Sequence, residues 1–185
     1  MTKEMRWRIM ALQAIMVLVF GFCAGFLYWG SGFVNGMVHD QLAAQQIFFP
    51  AKGSPALDAR EFPDLQQYAG QQVDNGDKAK AYANGFIGRH LEKVANGQTY
   101  SQVSAKAQAN PQDAKLAGQV QTLFRGETLR GLLLYAWGWS QVGLYAFYAA
   151  IGLTVATIVF LGALAFEVAL AYRRRPYPVV RPAVA

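Results

Sequence analysis

The sequence predicts an all-α membrane protein in which two transmembrane helices flank a small extracytoplasmic helical domain. Three observations carry that expectation. Only 15% of the 185 residues are charged, against about 25% in an ordinary soluble domain. Two stretches, Ile9 to Val38 and Gly131 to Phe166, contain no Asp, Glu, Lys, Arg or His, and each exceeds the ~20 residues a helix needs to cross the hydrocarbon core. Between them lies a polar segment whose apolar residues recur at helical spacing and never alternate as in a strand. The length outside the two stretches admits one small domain at most, which excludes a large multidomain enzyme.

Residues 1–8 read as a cytoplasmic tail. Its Lys3, Arg6 and Arg8 followed by an apolar run resemble a secretory signal peptide. The run is too long for one, no small-x-small signature closes it, and Phe20 to Phe22 before Cys23 are too bulky for lipoprotein processing. The next element is an uncleaved transmembrane helix over residues 9–34, with Trp7 suited to one interface and Tyr28 and Trp29 to the other.

Residues 35–131 make the extracytoplasmic domain. Val38, Leu42, Ile47, Phe48 and Phe49 supply one wall, and Pro50 to Pro63 reads as a loop. Asp74-Asn75-Gly76-Asp77 starts a helix on which Ala79, Tyr82, Ala83, Phe86, Ile87, His90, Leu91 and Val94 share a face, and Asn96-Gly97 stops it. Thr99-x-x-Gln102 matches a capping box for a short helix that Asn110-Pro111 ends. Asn110 is expected to cap the next helix, with Pro111 at its first position and Leu116, Val120, Leu123 and Phe124 on its apolar face. So few apolar residues make a small core that leans on the spans or on partner proteins.

The second uncharged stretch would form a helix of roughly 54 Å, longer than a ~30 Å hydrocarbon core. Its Trp- and Tyr-rich start, residues 132–142, is therefore assigned to the interface and residues 143–171 to the second transmembrane helix. Arg173, Arg174 and Arg175 open a cytoplasmic tail, residues 172–185. Three basic residues before the first span and four after the second place both termini in the cytoplasm of a multi-pass plasma-membrane protein. The segment between them holds ten basic and nine acidic residues, so the net charge of +6 belongs mostly to the tails. The basic pI of 9.5 is accordingly read as positive-inside topology and contact with the lipid bilayer, with no nucleic acid as partner.

Gln41-Leu-Ala-Ala-Gln-Gln-Ile47, Tyr82-Ala-Asn84 through His90, Gly97-Gln-Thr-Tyr100 and Leu123-Phe-Arg-Gly-Glu-Thr-Leu-Arg130 resemble a family of two-span membrane proteins of high-GC Gram-positive bacteria. The resemblance covers most of the chain and implies topology and location more than activity. Some similar sequences carry an aromatic ring-opening dioxygenase label. Common non-haem iron oxygenases use two histidines and a carboxylate, and this chain has two histidines in all, His39 beside Asp40 and His90 near Glu92. Their local spacing does not bring them together. No metal ligand, cofactor or catalytic residue is assigned. Cys23, at membrane depth, reads as a small hydrophobe, and neither a nucleophile elbow nor a phosphate-cradling glycine loop is present.

Two groups of residues are singled out instead. Gly21-x-x-x-Gly25 and Gly32-x-x-x-Gly36 in the first span, with Ala146-x-x-x-Ala150 and Gly152-x-x-x-Ala156 in the second, put small residues where helices approach closely. Gly21, Gly25, Gly152 and Ala156 are the helix-packing candidates, for pairing within the chain, with other membrane subunits or in a homo-oligomer. Arg125, Glu127 and Arg130 form the densest polar cluster near the outer surface, either an anchoring collar or a contact to lipid phosphates or a partner. Glu167, the one acidic residue in the second span, lies about 9 Å before Arg173 along a helix. It suits a topological role, with a polar contact to another subunit or an ion pathway as alternatives. The leading expectation is a non-enzymatic accessory or scaffold subunit of a cell-envelope membrane assembly. The alternative is an extracytoplasmic sensor or a module binding a small molecule or lipid, and the dioxygenase comes third.

Overall fold

A computed structural model describes residues 2–173; the expected stop signal Arg174-Arg175 and the tail beyond lie outside the described residues. The fold is all-α. Helix α1 spans Lys3–Ala44, two 3₁₀ turns cover Pro55–Leu57 and Pro63–Tyr68, and α2 spans Gly76–Lys80. A π-helical segment, Ala81–Gly88, joins α2 to α3, Arg89–Val94, and α4 (Tyr100–Ala109) and α5 (Ala114–Arg173) complete the order. Among the described residues there is no strand, and Phe48 and Gln72 form one isolated antiparallel bridge.

Helices α1 and α5 are both longer than the spans expected. At 1.5 Å per residue, the 42 residues of α1 reach about 63 Å and the 60 of α5 about 90 Å. Residues 132–142, assigned to the interface, are continuous with the rest of α5 as helix. No proline or glycine pair interrupts them, and Leu, Ala and Tyr in that stretch are compatible with helix. The described residues divide into two compact units, one of residues 2–30 with 146–173 and the other Ser31–Tyr145.

In the first unit α1 and α5 pair antiparallel, as three ring or side-chain contacts show. Tyr28 meets Phe147 with ring centroids 5.9 Å apart, Phe20 meets Phe160 edge-on at 5.7 Å, and Arg6 Nε lies 3.3 Å from Glu167 Oε2. Positions 10, 13, 17, 20, 24 and 27 of α1 follow a three-four rhythm and none is exposed. Positions 146, 150, 153, 157, 160, 164, 167 and 171 of α5 repeat it. A repeat averaging 3.5 residues is the seam of an antiparallel coiled coil. The seam includes Ala24, Ala146, Ala150 and Ala171, whose small side chains let the two backbones approach.

The second unit folds around two apolar clusters. The larger gathers Val38 and Leu42 of α1, Phe49, Leu57, Phe62, Leu65 and Val73 of the connecting segment, Ala79 and Ala83, and Leu133 of α5. Phe49 anchors it, stacked on Tyr68 at 5.2 Å and edge-on to Tyr82 at 5.0 Å. Desolvation around Tyr82 raises its phenol above the usual value. The smaller cluster joins Leu91, Ala95, Val103 and Leu123.

Local signals in the sequence are mostly where expected. Asn75 caps α2 by accepting from Lys78 N–H at 3.0 Å, and Asn96 and Gly97 turn the chain after α3 with φ of 50° and 74°. The capping box at Thr99 and Gln102 forms in both directions. Three details differ. Asn110 does not cap α5; Pro111 and Gln112 lie in a turn, and Asp113 Oδ1 accepts from Lys115 and Leu116 N–H at 2.9 and 3.1 Å. Phe48 and Phe124, expected in the core, are exposed. His90, expected on the apolar face with Phe86 and Leu91, is exposed as well. The π segment explains that last difference, because each π turn inserts an extra residue and rotates the next part of the helix by about 100° relative to an ideal α-helix.

Candidate functional site

The helix-packing candidates lie in the first unit, and their environments differ. A Cβ at Gly21 would lie 3.7 Å from Thr157 Cγ2, ordinary van der Waals contact across the pair. A Cβ at Gly25 or Gly152 would meet nothing within 4 Å. Gly21 therefore touches α5 at the edge of the seam, whereas Gly25 opens onto the groove beside the seam and Gly152 onto open space. Ala156 is half-buried, one position before Thr157. Gly21, Ala24 and Gly25 line one side of a shallow groove of about 340 Å³, with Thr154, Thr157 and Ile158 on the other. Both threonine hydroxyls donate back to α5 carbonyls, Thr154 to Ala150 and Thr157 to Leu153, each at 2.8 Å. The groove surface is thereby chemically apolar.

Around the pair the outward face is apolar too. Leu18, Phe22, Phe26, Ile158, Val159 and Phe166 are all more than half exposed. Along the most apolar window of each long helix, mean hydropathy is 2.3 and only 6% of the window is buried within the chain. A core helix of a soluble protein would be covered by its own chain.

Glu167 and Arg6 form the polar end of this unit. Their side chains are only 21% and 18% exposed. Gln13 sits one heptad before Phe20 on α1, and Glu167 one heptad after Phe160 on α5, so the Phe–Phe contact fixes Gln13 and Glu167 to the same layer of the seam. Gln13 Oε1 and Glu167 Oε2 are buried without a well-formed hydrogen bond, the Arg6 contact being an off-line ion pair. Sequence reading paired Glu167 with the basic tail. It missed Arg6, because residues far apart in sequence meet only once the antiparallel register is known.

In the second unit Arg130 is a junction. Its Nη1 donates to both carboxylate oxygens of Glu127 at 3.0 and 2.9 Å, its Nε to Ala83 O at 3.2 Å, and its Nη2 to Asn84 Oδ1 at 3.3 Å. Arg130 thus ties α5 to the π segment, its guanidinium passing beside Gly88, where Nε would lie 3.5 Å from an added Cβ, an ordinary van der Waals contact. Arg125 is exposed on the same helix and takes no part. Of the predicted cluster, the structure brings Glu127 and Arg130 together and leaves Arg125 apart.

His39 Nδ1 lies 2.9 Å from Asp74 O, while His90 is exposed on α3. Among the described residues no group of three or more His, Cys, Asp or Glu is arranged to hold a metal ion. Comparison with protein-family models, curated proteins and solved structures gives no match to this chain.

Proposed function

We propose that this chain is a non-enzymatic, two-span membrane protein of the cell envelope whose paired helices hold the 31–145 unit outside the plasma membrane, with both termini cytoplasmic. The observation that carries the reading is the pair of long, apolar helices that their own chain barely covers. Exposing Leu18, Phe22, Phe26, Val159 and Phe166 to water together would be costly at about 25 cal/mol per Å² of apolar surface, and lipid removes that cost. Basic residues at Arg6 and Arg8 and at Arg173 support the orientation. The resemblance to two-span proteins of high-GC Gram-positive bacteria agrees with that location.

Within the membrane the chain acts as an accessory or scaffold subunit. The groove between Gly25 and Ile158 supports this, because it is a close-approach surface that the chain itself does not fill. The test combines topology with association. In a Cys23→Ala background, Ser101→Cys on the exposed start of α4 is expected to react with an impermeant maleimide on intact cells, and Thr2→Cys only after permeabilisation. Labelling of Thr2→Cys from outside overturns the orientation, and labelling of a soluble chain in the cytosol overturns membrane insertion. Purification in mild detergent followed by mass spectrometry is expected to recover a defined membrane partner or a homo-oligomer; a strictly monomeric chain overturns the subunit role.

A further inference from the structure

A second cavity has no part in the function proposed above. It is a cleft of about 520 Å³ between the second 3₁₀ turn and the helix running from α2 through the π segment into α3. Its size falls in the range of small-molecule sites, about 300–1,000 Å³, and it lies wholly within the 31–145 unit. Its binding chemistry therefore does not depend on membrane insertion.

The sequence builds the cleft through one missing side chain. A Cβ at Gly85 would lie 2.8 Å from Leu65 Cδ2, so glycine lets the 3₁₀ turn close onto the helix and form an apolar floor of Leu65, Ala81 and Gly85. Ala81, Asn84 and Gly85 all belong to the π segment, a geometry that recurs at functional sites.

The rim is ionised but balanced. At one end Arg89 donates from Nη1 and Nη2 to Asp64 Oδ1 and Oδ2 at 2.8 and 2.9 Å, a bidentate pair. That hydrogen bonding holds the Asp64 carboxyl below its ordinary value and the Arg89 guanidinium above its own, so both stay charged at neutral pH. At the other end Asp77 and Lys80 also carry opposite charges, yet they form no ion pair among the described residues. Lys80 Nζ is held 4.1 Å from the Trp137 ring centroid instead. Between the two ends, Asn84 accepts from Arg130 through Oδ1, which leaves its Nδ2 to donate toward a ligand.

We propose that this cleft binds a neutral, hydroxyl-rich molecule of the sugar or polyol class. A hydroxyl both donates and accepts, so it can donate a hydrogen bond to the Asp77 carboxylate while accepting one from Asn84 Nδ2 or Lys80 Nζ. Hydrogen bonds to ionised partners are the stronger kind. The C–H face of a sugar matches the apolar floor. An anion would meet Asp64 and Asp77, and a cation would meet Arg89 and Lys80, so the two-plus, two-minus rim disfavours either.

The test uses the full chain in phosphatidylcholine nanodiscs prepared without sugar detergents, with saturation-transfer NMR as the readout. Maltose and sorbitol are the neutral probes, choline and glutamate the charged ones. Saturation of a neutral probe is expected, weakened about tenfold or more in each of Asp77→Ala and Asn84→Ala, as loss of one charge-assisted or well-placed hydrogen bond implies. Asp77→Asn, which keeps the shape, is expected to weaken binding less than Asp77→Ala. Saturation only by a monoglucosyl diacylglycerol placed in the disc supports the same chemistry with a lipid headgroup as its source. Transfer to choline or glutamate but to no neutral probe overturns the proposal. So does transfer to none of them, or a titration unmoved by Asp77→Ala and Asn84→Ala in variants whose near-ultraviolet circular dichroism is native.

Discussion

Gly76→Ala is the substitution on which backbone propensity and tertiary packing predict opposite signs. Alanine favours helix over glycine by up to about 1 kcal/mol, and Gly76 is the first residue of α2 with an ordinary negative φ. Propensity alone therefore predicts a more stable protein. In the structure an added Cβ would fall inside the Ser140 side chain of α5 and 3.3 Å from Trp137 Cα. Ser140 has little freedom to withdraw, since its hydroxyl donates to Trp137 O at 2.7 Å. Overpacking of this kind costs roughly 1–3 kcal/mol, and it also disturbs the Lys80 contact to Trp137 four residues along the helix from Gly76. The net expectation is a loss of about 1–2 kcal/mol. Ser140→Gly in the same chain removes the side-chain overlap but not the approach to the Trp137 backbone, so rescue is partial. Gly118→Ala on exposed α5, where nothing lies within 4 Å, is the control and is expected to gain stability. The assay is urea unfolding of nanodisc-embedded protein followed by tryptophan fluorescence. A Gly76→Ala protein at least as stabilised as Gly118→Ala would falsify the packing of α2 on α5.

Other substitutions probe the helix pair and the domain separately. Gly21→Leu is expected to lower thermal stability in detergent, since the side chain must enter the space beside Thr157, whereas Gly25→Leu is expected to stay within about 0.5 kcal/mol of the parent. Equal effects at both positions refute the assigned faces. Asp74→Asn removes the ion pair to Lys78, 3.0 Å away, which chiefly through that hydrogen bond holds the Asp74 carboxyl below its usual value of 3.8. A depressed carboxylate stabilises the fold above the unfolded value and loses that contribution as pH falls through the folded one. The variant should thus cost roughly 0.5 kcal/mol at pH 7 and converge on the parent at acidic pH below 3.8; a constant difference across that window rules out the ion pair as its origin.

The elements set by neighbours along the chain were legible from sequence. The Asn75 cap, the Thr99–Gln102 capping box and the Asn96-Gly97 stop depend on residues within a few positions of one another, and they form as read. The helical class and the two long apolar helices come from uncharged length, which composition states directly. The pairing of distant residues was not legible. Arg6 with Glu167, Arg130 with Ala83 and Asn84, and Arg89 with Asp64 join residues 161, 47 and 46, and 25 positions apart. Such contacts depend on the register of the α1–α5 pair and on the extra residue of the π segment, and the π segment also turned His90 outward. Sequence periodicity reports which face of a helix is apolar. Which small residue of that face is closed by a neighbour, as at Gly21, Gly76 and Gly85, and which stays open, as at Gly25, was decided only by tertiary packing, because van der Waals contact falls off within an ångström and leaves no mark on local composition.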